Sequence, residues 1–170
     1  MIREANEKDL KDILEIYNDA ILNTTAIYAY KIQTLEEKKQ WYEKKKQDGY
    51  PLLVFEESDK VVGFATFGHF RQWPAYKYTI EHSIYVHKEY RNHGIAAKLM
   101  KDLIKIANER EYATLVAGID AANEGSIKMH EKMGFEYSGT VKKAGFKFGK
   151  WLDLAFYQLD LKGPEVPLEE

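Results

Sequence analysis

Fifteen residues near the middle of the chain carry its clearest chemical signal: Ser83 to Ala97 reads SIYVHKEYRNHGIAA, a β-rich run, a polar loop and the opening of a helical pattern at Gly94. A junction of that kind aims several amide N–H groups without helical partners at one point. The N-terminus of a helix also carries partial positive charge, Gly94 and Ala96 leave room for close backbone approach, and Arg91 adds a full charge. A pyrophosphate suits such a cradle. Neither GxGxxG nor GxxxxGK(S/T) occurs in the stretch, so a Rossmann dinucleotide site and a P-loop are both unsupported. Taken alone, Arg-x-x-Gly-x-Ala fixes only three positions, and Gly94 could equally do no more than start a helix.

Other chemistries fall away on residue type. The chain has no cysteine, which removes disulfide frameworks, thiolate metal sites and cysteine nucleophiles together. Its five histidines, His69, His82, His87, His93 and His130, show no HExxH-like spacing, so no metal is expected. With 25 Lys and Arg against 27 Asp and Glu, the formal charge of −2 offers no global positive field for nucleic acid or anionic lipid. No long apolar run occurs, and MIREANEKDL lacks the apolar stretch of a secretion signal, so a soluble, cytoplasmic protein is expected.

The elements that must hold the cradle can be read from periodicity. Across 170 residues we expect one domain over residues 1–162 and a flexible C-terminal tail over 163–170. After a short strand at Ile2–Glu4, apolar residues from Leu10 to Ile21 recur at helical spacing, with Asn6 placed to cap and Asp9 three positions on. Thr34 and Glu37 form a capping-box pattern that opens a second helix, ended by Gly49. Strands are expected at Leu52–Glu56 and Val61–Gly68 around a turn at Glu57–Lys60, and at Tyr76–His87. A third helix carries Ile95, Leu99, Leu103 and Ile106, and Thr114–Ile119 then reads as a buried strand, parallel to the one before. Asn123 can cap a fourth helix that stops at Gly134, and Phe135–Lys147 and Trp151–Asp160 close the chain as strands. The order describes an α/β fold with a mixed sheet and helices on both faces.

The loop ending in Arg91-Asn-His-Gly-Ile-Ala96, placed after a long strand, and the later run Asn123-Glu-Gly-Ser-Ile-Lys-Met-His130-Glu-Lys-Met-Gly-Phe135 together resemble the GNAT N-acetyltransferase superfamily. The resemblance implies a mostly antiparallel sheet with a splayed parallel pair, and acetyl-CoA as co-substrate with no metal. It implies that Ile84, Tyr85 and Val86 pair their backbone with the pantetheine arm. Arg91, Asn92, His93, Gly94, Ile95, Ala96 and Ala97 would face the pyrophosphate, and Asn123 would touch the cofactor. Within the superfamily, Thr79–Val86, His130-Glu131 and Gly139–Asp153, which includes Gly-x-Lys-x-Gly-x-Trp-x-Asp, look like the phosphinothricin/methionine sulfoximine acetyltransferase branch. The similarity runs from about Ile2 to Leu161.

On residue type alone, Glu81 reads as a strand carboxylate paired with Lys77 or Arg91. From Val86 back to Glu81, an extended strand covers about 17 Å at roughly 3.3 Å per residue, which sets Glu81 near the reactive end of an arm lying along it. With the resemblance, Glu81 becomes the general base that takes a proton from the substrate ammonium, and burial would raise its pKa toward that task. The same resemblance gives His130 acid/base or substrate-positioning work beside Glu81; the other reading is a structural histidine. Acceptor binding is expected of the aromatic loop Phe70–Tyr76, through Arg71, Trp73 and Tyr76, with Arg71 suited to a carboxylate or phosphinate and Trp73 equally readable as a packing or dimer residue. The resemblance adds Tyr28, whose other reading is a core residue. Trp73 and Phe148 depart from the branch, standing where many relatives carry a basic residue and a histidine, so the pocket should be less cationic and more apolar.

The expected activity is therefore acetyl transfer to the primary amine of a small molecule, an amino acid or analogue. A protein or peptide acceptor, or a non-catalytic CoA-binding module, are the other readings. The branch also implies a homodimer, for which the apolar hairpin around Trp151–Tyr157 offers a patch.

Overall fold

The computed structural model describes residues 1–169. Its elements run β1 (Ile2–Glu4), α1 (Leu10–Asn23), α2 (Leu35–Gln47), β2 (Leu52–Glu57), β3 (Lys60–His69), β4 (Thr79–Val86), α3 (Ile95–Glu109), β5 (Thr114–Asp120), α4 (Glu124–Lys132), β6 (Glu136–Lys147) and β7 (Lys150–Asp160). The seven strands hydrogen-bond in the order β1-β2-β3-β4-β5-β7-β6. Strands β4 and β5 run parallel, whereas β1 with β2, β2 with β3, β5 with β7 and β7 with β6 are antiparallel. This is the expected mixed sheet with one parallel pair.

Local chemistry explains most element ends. Thr34 and Glu37 exchange both capping-box bonds at the start of α2, at 3.1 and 3.2 Å. Asn6 and Asp9 do the same, but around a 3-10 turn at Glu7–Asp9 that leads into α1. Ser58 and Asp59 take φ of 51° and 61°, the left-handed pair that a two-residue hairpin between β2 and β3 needs. Asn123 caps α4 through Ser126 N–H at 3.2 Å, and Gly134, with φ of 96°, ends it. One strand is shorter than expected. Residues 74–76 form a 3-10 turn with Pro74 in its first position, so β4 starts only at Thr79. Proline presets the backbone for such a turn and has no N–H for a sheet ladder, which outweighs the β propensity of the tyrosines.

The chain divides into two compact units, one of residues 1–67 and 83–100, the other of 68–82 and 101–170. In the first, Leu10, Ile13 and Ile16 of α1 pack with Leu52 and Val54 of β2 and Val61 and Phe64 of β3. Lys38, only 1 % exposed, lies in this unit with its Nζ 3.6 Å from the centre of the Tyr17 ring and 4.3 Å from that of Trp41. Burial pushes its pKa down to about 8. In the second unit, β5 pairs along its whole length with β7, from Thr114↔Asp160 to Asp120↔Leu154. Residues 163–169 carry no helix or strand. Gly163 N–H donates to Tyr112 O at 3.0 Å and Leu168 N–H to the Tyr78 hydroxyl at 2.9 Å, while Glu170 lies outside the described residues.

Candidate active site

Strand β4 supplies the second unit with its last paired residue. The parallel register with β5 covers Thr79↔Thr114, Ile80↔Leu115 and Glu81↔Val116. Glu81 is half-buried, and its Oε2 lies 3.2 Å from where a Cβ on Gly118 would sit. That bare Cα gives the carboxylate its room. Leu154 and Phe156 flank the same point at 3.4 and 3.8 Å, and the Phe156 ring meets Phe70 edge-on at 6.4 Å. Phe70 in turn contacts the ring of Tyr76 at 5.8 Å and lies 4.3 Å beneath the Arg71 guanidinium. Burial raises the Glu81 pKa above the usual carboxylate range, and the positive charge of Arg71 partly opposes the rise. A carboxylate held basic, beside one cation and among rings, can take a proton from an ammonium group whose own acid group pairs with Arg71.

His82 points to the other face of β4, because successive strand residues alternate. There its ring meets that of His130 of α4 edge to edge, with centroids 5.1 Å apart and planes 11° from parallel, and the two Nε2 atoms are 3.0 Å apart. Phe135 closes the edge of both rings at 5.9 and 5.0 Å. His130, 3 % exposed, is thus placed with His82 and on the opposite face from Glu81. Burial lowers the pKa of both imidazoles, that of His82 to about 3.

In the first unit, the expected cradle takes shape around α3. Asn92 and Gly94 have φ of 64° and 76°, and a Cβ at Gly94 would meet nothing within 4 Å. The first helical bond runs from Lys98 N–H to Gly94 O at 3.1 Å, so helix geometry leaves the N–H groups of Ile95, Ala96 and Ala97 without an intrahelical acceptor. Left-handed residues followed by open helix amides make an anion-binding concavity. Arg91 stands exposed at its edge, donating from Nε to Val86 O at 3.3 Å and facing Asp19 at 3.5 Å. Behind it, His87 accepts from Glu89 N–H at 3.3 Å and meets Glu15 at 3.3 Å. The Tyr85 side chain packs against Tyr17 and Phe64 at 5.9 and 5.3 Å, which keeps this part of β4 in place.

Residues 2–156 match the family of acetyltransferase (GNAT) domains. The chain belongs to the GNAT acetyltransferase family. An L-methionine sulfoximine/L-methionine sulfone acetyltransferase of Salmonella typhimurium is 40% identical over 166 residues, covering 98% of this chain and 97% of that protein. A crystal structure of an N-acetyltransferase from Staphylococcus aureus Mu50 superposes with a TM-score of 0.95 at 59% identity, over 95% of this chain and 98% of that one. That of a GNAT superfamily phosphinothricin acetyltransferase from Sinorhizobium meliloti, in complex with AcCoA, gives 0.94 at 34% identity, over 98% and 91%.

Within this GNAT domain, the expected site residues fall into recognisable groups. Arg71 and Tyr76 contact Phe70 and the charge of Arg71 acts on Glu81, whereas Trp73 is 76% exposed at the start of the 3-10 turn and Tyr28 lies at 36% in the segment between α1 and α2. Asn123 spends its side-chain oxygen on capping α4. Gly118 and His82 escaped sequence reasoning. A glycine in a strand is a signal of close approach, which would have singled out Gly118; His82 shows its partner only when β4 and α4 meet.

Proposed function

We propose that this GNAT domain moves the acetyl group of acetyl-CoA to the primary amine of a small molecule, an amino acid or a close analogue. The observation that carries the reading is the half-buried Glu81 carboxylate, kept basic by burial and given space by Gly118 beside Arg71. Acetyl-CoA supplies an activated thioester carbonyl; the neutral amine nitrogen bonds to its carbon, the C–S bond breaks, and the sulfur leaves with the electron pair and takes up the second proton that the new amide nitrogen gives up, directly or through solvent. Glu81 takes the proton that the ammonium must lose before it can attack. Arg71 pairs with the acid group of the acceptor, and Tyr28, Trp73 and Tyr76 enclose its apolar part. The open amides from Asn92 to Ala97, with His93 and Arg91, hold the pyrophosphate, and the backbone of Ile84, Tyr85 and Val86 pairs with the pantetheine arm. Asn123 borders the same arm from the start of α4. His130 serves proton handling or positioning.

The names of the relatives support an amino-acid-like acceptor. Absence of any helix long and apolar enough to cross a membrane, among the described residues, accords with a cytoplasmic enzyme. The hairpin of β6 and β7 exposes Tyr137, Val141, Phe146, Phe148 and Trp151 at between 47 and 60%, an apolar face suited to a second copy of the chain in a homodimer. The deciding test is release of free thiol from acetyl-CoA with a panel of amino acids and analogues, peptides and polyamines as acceptors. Turnover with methionine sulfoximine or phosphinothricin supports the proposal; turnover with peptides alone replaces the acceptor, and no thiol release with any amine overturns the activity.

A further inference from the structure

The two buried imidazoles on the α4 side of β4 have a hydrogen-bond order that can be worked out from one carbonyl. A carbonyl oxygen only accepts, and Ser126 O lies 2.7 Å from His130 Nδ1. His130 Nδ1 therefore carries the proton and donates it. In a neutral ring the other nitrogen is then a bare acceptor, so His130 Nε2 must receive a hydrogen across the 3.0 Å gap to His82 Nε2. His82 Nε2 carries that hydrogen. By the same rule His82 Nδ1 is left with a lone pair, and this atom is buried with no hydrogen-bond partner among the described residues. The order runs in one direction: Ser126 sets His130, and His130 sets His82.

Two consequences follow for the proposed acetyl transfer. Both nitrogens of His130 are already engaged, so His130 has none to offer to a reactant. The one nitrogen of the pair with unused capacity is His82 Nδ1, an acceptor whose desolvated lone pair is destabilising while unpaired. Unpaired buried polar atoms are rare in folded proteins, and a catalytic or ligand-binding role is one of the reasons they persist. Among the described residues, the hydrogen bonds and ring contacts of the two imidazoles run to each other, to Ser126 and to Phe135.

We infer that His82 Nδ1 is the working nitrogen of this pair, an acceptor for an N–H or S–H donor on the acyl carrier, and that His130 is the positioning residue that fixes its tautomer. The donor is assigned to the carrier because Glu81, which serves the amine, projects from the opposite face of β4, whereas His82 directly precedes Ser83–Val86, the stretch whose backbone is proposed to follow the carrier arm. This inference rests on the acetyltransferase reading for its ligand, but its tautomer assignment does not.

The test is ¹⁵N NMR of the histidine side chains of the full chain at pH 7, first alone and then with CoA or desulfo-CoA. The expected result is opposite tautomers, His130 as the Nδ1–H form and His82 as the Nε2–H form, with CoA shifting the His82 Nδ1 resonance while His130 keeps its form. A shift with CoA but not desulfo-CoA names the thiol as donor; a shift with both names the amide. Identical tautomers, or a His82 Nδ1 resonance unmoved by both carriers, overturns the inference. Kinetics give a second readout. His82→Phe should reduce kcat about tenfold or more, and His130→Phe should cost nothing further in that background, because residues that act through one another are not additive. Additive losses also overturn it. If H82F proves unstable, His82→Gln, which keeps a donor for His130 and lacks the ring acceptor, should show the same loss with a normal His130 tautomer. Absence of thiol release with every amine, alongside the expected tautomers, would instead remove the acetyltransferase reading and the carrier as ligand.

Discussion

Strand β4 falls into two halves, divided where the two compact units meet along the chain, and they are put to different use. From Thr79 to His82 the strand is paired with β5 as far as Glu81, and its side chains are the ones to which we assign proton handling: Glu81 on one face, His82 on the other. From Ser83 to Val86 the side chain of Tyr85 is turned to structural work against Tyr17 and Phe64, and it is the backbone that we propose to hold the carrier arm. A carboxylate or an imidazole can be tuned by burial over several pKa units, whereas an amide cannot, which is why we propose proton transfer for the first half and ligand holding for the second.

The sharpest way to test this division is Glu81→Gln. We expect kcat to fall by about 10²–10⁴ while the affinity for CoA, measured by calorimetry, stays within about twofold, because the second half is untouched. In the unaltered protein kcat should fall as pH drops through the raised Glu81 pKa, since only the ionised carboxylate accepts a proton; this acid limb should be missing from the residual activity of E81Q. An unchanged kcat would place proton transfer elsewhere. Next in size is Gly118→Ala. Its new methyl group would stand 3.2 Å from Glu81 Oε2 and 3.4 Å from Leu154 Cδ1, so the carboxylate must shift. A loss of about 10- to 100-fold in kcat with little change in Tm is expected, as small misplacements of a catalytic group are costly.

The second half should respond in the opposite manner. Arg91→Ala removes a charge at the rim of the α3 concavity and should raise KM for acetyl-CoA about tenfold with kcat nearly constant. A fall in kcat alone would argue that Arg91 belongs with the first half. The smallest effect is expected at Lys38, which braces Tyr17 and through it Tyr85. A pKa lowered from 10.5 to about 8 corresponds to about 3 kcal/mol of desolvation. Two ring contacts worth about 0.5–2 kcal/mol each offset most of it. Lys38→Met should therefore leave Tm at pH 7 within a few degrees. Because burial lets the folded chain release this proton before the unfolded chain does, the stability of the parent should rise relative to K38M as pH increases from 8 to 10.

Legibility in the sequence followed the range of the interaction. Thr34 with Glu37, Asn123 with Ser126 and the Ser58-Asp59 turn are each settled within four residues, and all three stand where periodicity and capping rules put them. The α3 concavity was equally readable, since a loop and the first turn of one helix build it from local backbone. Glu81 needed the family resemblance, because a single strand carboxylate looks the same in solvent and in a cleft. The His82–His130 pair spans 48 positions, and nothing near either histidine announces the other. Gly118 acts through a missing side chain, which leaves only volume for a trace. At Tyr76–Tyr78 the sequence pattern favoured the start of a strand, and the turn opened by Pro74 moved that start to Thr79.

Strand β6 ends the sheet, and its register is broken twice against β7. From Val141 to Gly145 it takes four steps where β7 takes two from Leu154 to Leu152, and Lys143, with φ of 53°, donates its N–H to Asp153 at 2.9 Å within the protrusion. The outer rim is thereby cut into short, bent pieces with lysines at the break, a poor template for stacking molecule upon molecule into filaments. Excising Lys142 and Lys143 to straighten that rim would trade this built-in safeguard for a protein that precipitates on concentration, whatever became of its catalysis.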